Sequence, residues 1–153
     1  ELLYNSKGEV PEEDDFVIPL GVADLKRVGS DVSIITHGQM VHVALQASGK
    51  LESEGIEAEV LDLRSVRPLD VDAILETVQK TNRVVYLEDS WPYAGTGAQV
   101  VSIIQEEAFD HLDAPVLRVT QADVPMPYAK NLEALAKPSV ERVVESCKKV
   151  LYR

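Results

Sequence analysis

Val32-Ser33-Ile34-Ile35-Thr36 is followed by Val41, Ala44, Leu45, Ser48 and Leu51, then by Gly55, then by Ala58-Glu59-Val60-Leu61-Asp62-Leu63. The first run is short, apolar and rich in β-branched residues, which reads as a buried strand. The next five residues recur at helical spacing, and Gly55 supplies a stop. The last run is a second strand. A single helix between two strands makes a crossover, and a crossover implies parallel pairing with the helix on one face of the sheet.

The same alternation continues toward the C-terminus. Pro68 and Asp70 open a helix, with Asp70 as N-cap and Val71, Ile74, Leu75 and Val78 as its apolar face. Val84 to Leu87 is a third strand, Ala98 to Leu112 a third helix and Val116 to Val119 a fourth strand. A short helix is predicted near Leu132 to Ala136. Ser139 then caps a last helix with Val140, Val143, Val144, Cys147 and Leu151 on one side. Gly49 inside the first helix costs about 1 kcal/mol against Ala, and a close contact is the expected reason for it. Toward the N-terminus, Phe16 to Ile18 and Val22 to Val28 are extended, and Pro19, Lys26 and Arg27 suit a sheet edge. The predicted fold is α/β: a three-layer α/β/α sandwich around a mainly parallel sheet of about five strands, one of them an antiparallel edge.

Residues 1–15 are polar and acidic after Leu2, Leu3 and Tyr4, and read as a linker or arm from a missing N-terminal domain; the domain proper spans 16–153. The chain starts at Glu1 without Met, so a piece of something longer is expected. No signal-peptide pattern is seen, and no run approaches the ~20 apolar residues of a membrane span. A composition 45% hydrophobic supports a sizeable core, and a net charge of −11 argues against nucleic acid as a partner. The one cysteine, Cys147, cannot form an internal disulfide and reads as a small core residue in a reducing compartment.

The third helix carries more apolar surface than one sheet face needs. Val100, Val101, Ile103, Ile104, Ala108, Phe109 and Leu112 spread over more than half its circumference. Either neighbours crowd it inside the domain, or a subunit interface covers the surplus. Val100, Val101, Ile104 and Phe109, with Trp91 in the loop ahead, are the candidate interface residues.

Ligands of open parallel sheets bind beyond the carboxyl ends of the strands. Here those ends carry His37, Arg64 to Pro68, Glu88 to Trp91 and Gln121. Gly95-Thr96-Gly97 ahead of a helix invites a dinucleotide reading, but Val100 stands where the third glycine belongs. The two glycines read instead as allowing a tight turn and close packing. His37 and His42 lack partners at metal-ligand spacing, and His37 reads as structural rather than as a general base. Glu88 and Asp89 are adjacent, so on a strand they face opposite ways. Arg64 and Arg67 read as fixing their turn. Gln121 to Ala129, with Pro125 and Pro127, forms a rigid extended connection, either a tether or a surface presented to a partner. Residue chemistry alone gives no self-sufficient active site.

Asp62-Leu63-Arg64-Ser65-Val66-Arg67-Pro68-Leu69-Asp70 resembles the signature of the transketolase C-terminal domain of thiamine-diphosphate enzymes. Leu87-Glu88-Asp89-Ser90-Trp91-Pro92 with Gly95-Thr96-Gly97-Ala98 is similar to its next segment, with Ser90 where the family commonly has glycine. Phe109 to Pro115 and Asp123 to Ala129 resemble the beta subunits of 2-oxo acid dehydrogenases, and Glu1-Leu2-Leu3-Tyr4 resembles the stretch leading into that domain in pyruvate-specific members. The resemblance implies a heterotetramer that decarboxylates a 2-oxo acid with thiamine diphosphate and magnesium and acylates a lipoyl group. It implies that the cofactor and the catalytic histidine lie outside these residues. It further implies contacts with the alpha subunit and a second beta subunit, and docking of the acyltransferase's small basic subunit-binding domain through Asp113 and the terminal carboxylate of Arg153. A bacterial cytoplasm or a mitochondrial matrix is the implied compartment. A branched-chain or acetoin dehydrogenase shares most of these motifs. A stand-alone small-ligand binder using the strand ends near His37 and Arg64 is the reading of another class.

Overall fold

The structure is a computed structural model that describes residues 7–153. Leu2, Leu3 and Tyr4, at the start of the arm expected over residues 1–15, lie outside the described residues. Residues 7–18 carry no helix or strand and are exposed. Five strands form one sheet in the order β1-β3-β2-β4-β5: β1 (Asp24–Arg27), β2 (Val32–Thr36), β3 (Ala58–Asp62), β4 (Val84–Leu87) and β5 (Leu117–Val119). β2 pairs in parallel with β3 (Val32 opposite Ala58) and with β4 (Ser33 opposite Val84). β5 joins β4 in parallel, and β1 runs antiparallel to β3 along the edge, with an irregularity between Leu25 and Arg27.

The helices α1 (Met40–Ser53), α2 (Val71–Thr81), α3 (Thr96–Glu107), α4 (Lys130–Ala136) and α5 (Val140–Val150) connect and follow these strands. Alternation along the strands sends side chains to two separate cores. Val32, Ile34, Val60, Val85 and Leu87 pack with Ala44, Ala47 and Leu51 of α1 and Val143 and Cys147 of α5. Ile35, Leu61, Val84 and Tyr86 pack with Ile74 and Val78 of α2 and Val100 and Ile104 of α3. Each core closes one face of the sheet, giving the three layers expected.

Local signals end the helices where the sequence indicates. The Asp70 carboxylate accepts from Ala73 N at 3.1 Å as N-cap of α2, and its other oxygen accepts from Ala23 N at 2.7 Å. Ser139 accepts from Arg142 N at the start of α5. Gly55 takes φ +75°, a left-handed turn that suits glycine after α1. Two expectations change. Gly49 has no neighbour a Cβ would meet, so no close contact excuses it. The third helix is not continuous to Leu112: α3 ends at Glu107, Ala108 leaves helical φ and ψ (−140°, 18°), and a separate 3-10 turn spans Phe109–His111. No helix of the described residues is long and apolar enough to cross a membrane.

A polar seam joins α2 to the sheet. Glu59, 2% exposed, accepts from Thr77 and pairs with Lys80. Ser33 bonds to the Thr77 and Thr81 hydroxyls at 3.0 and 2.7 Å. Gly29 lies so close to β3 that a Cβ would sit 2.2 Å from Glu59 N.

Candidate functional site

The strand order turns at β2, whose two neighbours β3 and β4 lie on opposite sides. The crevice of an open α/β sheet opens beyond the carboxyl ends at that point. In this chain Tyr86 and His37 meet beside it. Tyr86 is fully buried on β4, and its hydroxyl lies 3.2 Å from His37 Nδ1 at the end of β2. Burial, with Glu88 adding to it, pushes the Tyr86 phenol well above its usual range. His37 is thereby held as a partner of a buried tyrosine.

Glu88, 1% exposed, sits just past β4 at the N-terminus of α3. Its carboxylate accepts from Ser90 Oγ at 2.8 Å, from Gly97 N at 3.1 Å and from Arg118 Nη2 at 2.7 Å. A helix N-terminus attracts anions, and here an internal carboxylate takes that place. Gly97 permits it: a Cβ there would lie 2.5 Å from Tyr86 Cδ1 and 2.7 Å from Glu88 Oε1. Gly95-Thr96-Gly97 is therefore a packing device, as expected from the missing third glycine. Asp89 is exposed and takes no part in the cluster.

Past this cluster the surface is aromatic. Trp91 Nε1 donates to Val124 O at 2.9 Å, which clamps the loop after β4 to the proline segment. Trp91, Tyr93, Asp123, Val124 and Pro125 line a shallow hollow of about 400 Å³. Arg64 pairs with Asp24 at 2.6 Å and so serves the edge of the sheet. Hydrogen bonding from Lys26, with Arg64 adding charge, holds the Asp24 carboxyl below the usual range. The Glu88 cluster does not suit thiamine diphosphate with magnesium. Among the described residues no three His, Cys, Asp or Glu side chains converge as metal ligands, and Glu88 fills the position where a diphosphate would meet α3.

The opposite end of the sheet holds the docking candidates. Asp113 is exposed just ahead of β5 and pairs with Arg83 Nη2 at 3.1 Å. Its backbone N donates to Asn82 O at 2.9 Å. The Tyr152 hydroxyl donates to Asp113 O at 3.3 Å, and Arg153 N donates to Lys148 O at 3.0 Å. The end of α5 is thus brought beside the segment that carries Asp113, and Arg153 is exposed next to Tyr152. Two concavities flank the segment: one lined by Val101, Phe109, Leu112 and Val116, the other by Leu117, Val150 and Tyr152, with Ala114 and Pro115 common to both.

The interface candidates divide. Val100 and Ile104 are fully buried in the domain's own second core, so they are not available to a partner. The reason is geometric: they lie on the side of α3 that covers Tyr86. Val101 is half-buried, and Phe109 and Trp91 are 59% and 47% exposed. Sequence reasoning missed Arg118, Tyr86 and Arg83. The only sequence signal for Arg118 is a charge inside an otherwise apolar strand, which calls for a buried partner.

Residues 21–143 match the family described as transketolase, C-terminal domain. The pyruvate dehydrogenase E1 component subunit beta of Rickettsia felis is 49% identical over 152 residues, 99% of this chain and 46% of its own length. The subunit of the same name from Rhizobium meliloti is 43% identical over 100% of this chain and 33% of its own length. A mitochondrial one, subunit beta-2 from Oryza sativa subsp. japonica, is 47% identical, covering 100% of this chain and 42% of itself. The chain therefore spans less than half the length of these relatives. Among solved structures, a split gene transketolase described as an inactive beta4 tetramer superposes with a TM-score of 0.78 at 31% identity, covering 94% of this chain and 46% of that one. A 2-oxoglutarate:ferredoxin oxidoreductase from Magnetococcus marinus shares the fold, with a TM-score of 0.59 at 17% identity over 85% of this chain and 20% of that one. The family match runs from the edge strand into the last helix, and on it this chain belongs to the transketolase C-terminal domain family.

Proposed function

We propose that the chain is the C-terminal domain of a pyruvate dehydrogenase beta subunit and that its work there is assembly and docking. The observation that carries the reading is identity of 43% to 49% to beta subunits of that name along 99% to 100% of the chain. In this reading the whole enzyme decarboxylates pyruvate with thiamine diphosphate and magnesium bound outside these residues, and passes the acetyl group to a lipoyl carrier. The chain contributes surfaces. Residues 1–15 lead in from the preceding domain. Val101, Phe109 and Trp91 meet the alpha subunit or a second beta subunit, and Asp113 with Arg153 receives the basic subunit-binding domain of the acyltransferase. The setting is a bacterial cytoplasm or a mitochondrial matrix. Support comes from the exposed Asp113 carboxylate, beside the end of α5 and bordered by apolar hollows, in a chain of net charge −11. Charge of that kind speeds encounter with a basic partner, and a desolvated pair at the centre adds affinity.

A chimera tests the reading. The matching C-terminal part of the Rickettsia felis beta subunit is replaced by this chain and co-expressed with its alpha subunit. The expected result is a heterotetramer that decarboxylates pyruvate and binds the acyltransferase. A chimera that folds, by circular dichroism, but does not join the alpha subunit would overturn it.

A further inference from the structure

Asp113 is not a bare carboxylate. Arg83 Nη2 stands 3.1 Å from Asp113 Oδ2, and both residues are fixed from behind. Arg83 O accepts from Ser33 N at 2.8 Å, which locks the start of β4 to β2. Asn82, in the left-handed region at φ 60°, accepts from Asp113 N at 2.9 Å and donates through Nδ2 to His111 O at 2.8 Å. The Arg83 side chain is 29% exposed and its Nε is buried. A seated stem thus offers the guanidinium to Asp113.

We propose that Arg83 sets the affinity and salt dependence of this surface by competing, within the chain, for the carboxylate that a basic partner engages. The proposal rests on the reading of Asp113 as a docking residue and adds a control on it. A guanidinium stays charged at any working pH. Paired with Arg83, Asp113 carries no net charge toward an approaching cation, so its share of electrostatic steering is lost. On arrival the partner's cation meets Arg83 across one shared carboxylate, and like charges at that range repel. The opposing effect is that Arg83 holds the Asp113 side chain in place before binding. That gain is small, because the Asp113 backbone is already tied to Asn82 and the end of α5. An ion pair this exposed changes an equilibrium by about fivefold at most, so a partner can displace it.

The test uses the assembled dehydrogenase carrying this chain, titrated by calorimetry with the acyltransferase's isolated subunit-binding domain. The proteins compared are wild type, Arg83→Gln, Arg83→Lys, Asp113→Asn, and Arg83→Gln with Asp113→Asn. Arg83→Gln is expected to tighten binding by about three- to fivefold and to steepen its fall with salt. Arg83→Lys, which keeps a cation beside Asp113, stays near wild type. Asp113→Asn weakens binding, and on that background Arg83→Gln has no effect. If Asp113→Asn weakens binding but Arg83→Gln leaves it unchanged or weaker, competition by Arg83 is wrong and the docking surface stands. Competition is equally excluded if Arg83→Gln tightens binding to the same extent with and without Asp113→Asn. If Asp113→Asn changes nothing, the docking reading fails and this proposal fails with it.

Discussion

Arg118 Nη2 donates to Glu88 Oε1 at 2.7 Å across neighbouring strands, and Arg118 Nη1 donates to Pro92 O at 2.8 Å. One arginine therefore ties β5 to the end of β4 and to the loop that presents Trp91. Glu88 is sealed from solvent, and the Arg118 side chain is 21% exposed. Removing one member leaves the other charge buried without its counterpart, which costs far more than the pair itself contributes.

Arg118→Ala and Glu88→Ala are each expected to lose about 3 kcal/mol of unfolding free energy. Joint replacement by apolar residues of similar volume should lose less than the sum. Urea titration reads this, with Trp91, the one tryptophan of the chain, as the fluorescent probe. Single variants within about 1 kcal/mol of wild type would mean that the pair is solvated in solution.

Two glycines give opposite outcomes. At Gly97 an added methyl would lie 2.5 Å from the Tyr86 ring, whose other side is locked in the second core. Gly97→Ala should cost about 1–3 kcal/mol as an overpacked site and should loosen the Glu88 cluster. Gly49 sits in α1 with open space around it, so Gly49→Ala should stabilise by about 0.5–1 kcal/mol. Thermal unfolding of both variants checks the pair, and a destabilised Gly49→Ala would show that this position is covered by something else.

Much of this architecture was legible because it rests on local periodicity. Val32 to Thr36 and Ala58 to Asp62 are strands because short runs with apolar residues flank a helical repeat, and Asp70 and Ser139 announce helix starts through single acceptor oxygens. The polar constellations were not legible. Glu88 and Arg118 are 30 positions apart, and His37 and Tyr86 are 49 apart. Only the pairing of β4 with β2 and with β5 brings them together, and charge spacing along one strand carries no trace of its neighbours. The Asp113 to Arg83 pair has the same origin. The apolar excess of α3 was visible, but its division was not: Val100 and Ile104 point to Tyr86, while Val101 and Phe109 remain outside. A hydrophobic count around a helix measures total demand for burial and does not say which body meets it.

Phe109 is the residue to separate assembly from folding. It is 59% exposed on the 3-10 turn and lines the hollow next to Asp113. Phe109→Ser should change the stability of the domain by less than about 0.5 kcal/mol while weakening subunit or acyltransferase association, measured by analytical ultracentrifugation and by calorimetry. Loss of stability without loss of association would assign the ring to the domain's own packing.

Cys147 offers a prediction with a definite sign. Burial in the first core pushes its thiol from 9.0 up to about 12, so the folded chain keeps a proton that the unfolded chain releases. Stability from this group is complete below pH 9 and falls as pH rises from there toward 12, at about 1.4 kcal/mol per pH unit. Tyr86 shifts in the same direction and adds to the loss above its ordinary value of 10.0. Between about pH 9 and 10 the thiol dominates, because the phenol of the unfolded chain is still mostly protonated. Wild type should therefore lose stability more steeply than Cys147→Ala over that interval, whatever the fixed offset the cavity introduces. Urea midpoints at about pH 8.5, 9.5 and 10 give both slopes, and parallel slopes would refute the buried thiol as a titrating group. The same burial predicts that iodoacetamide at about pH 8 modifies Cys147 only after urea has unfolded the chain.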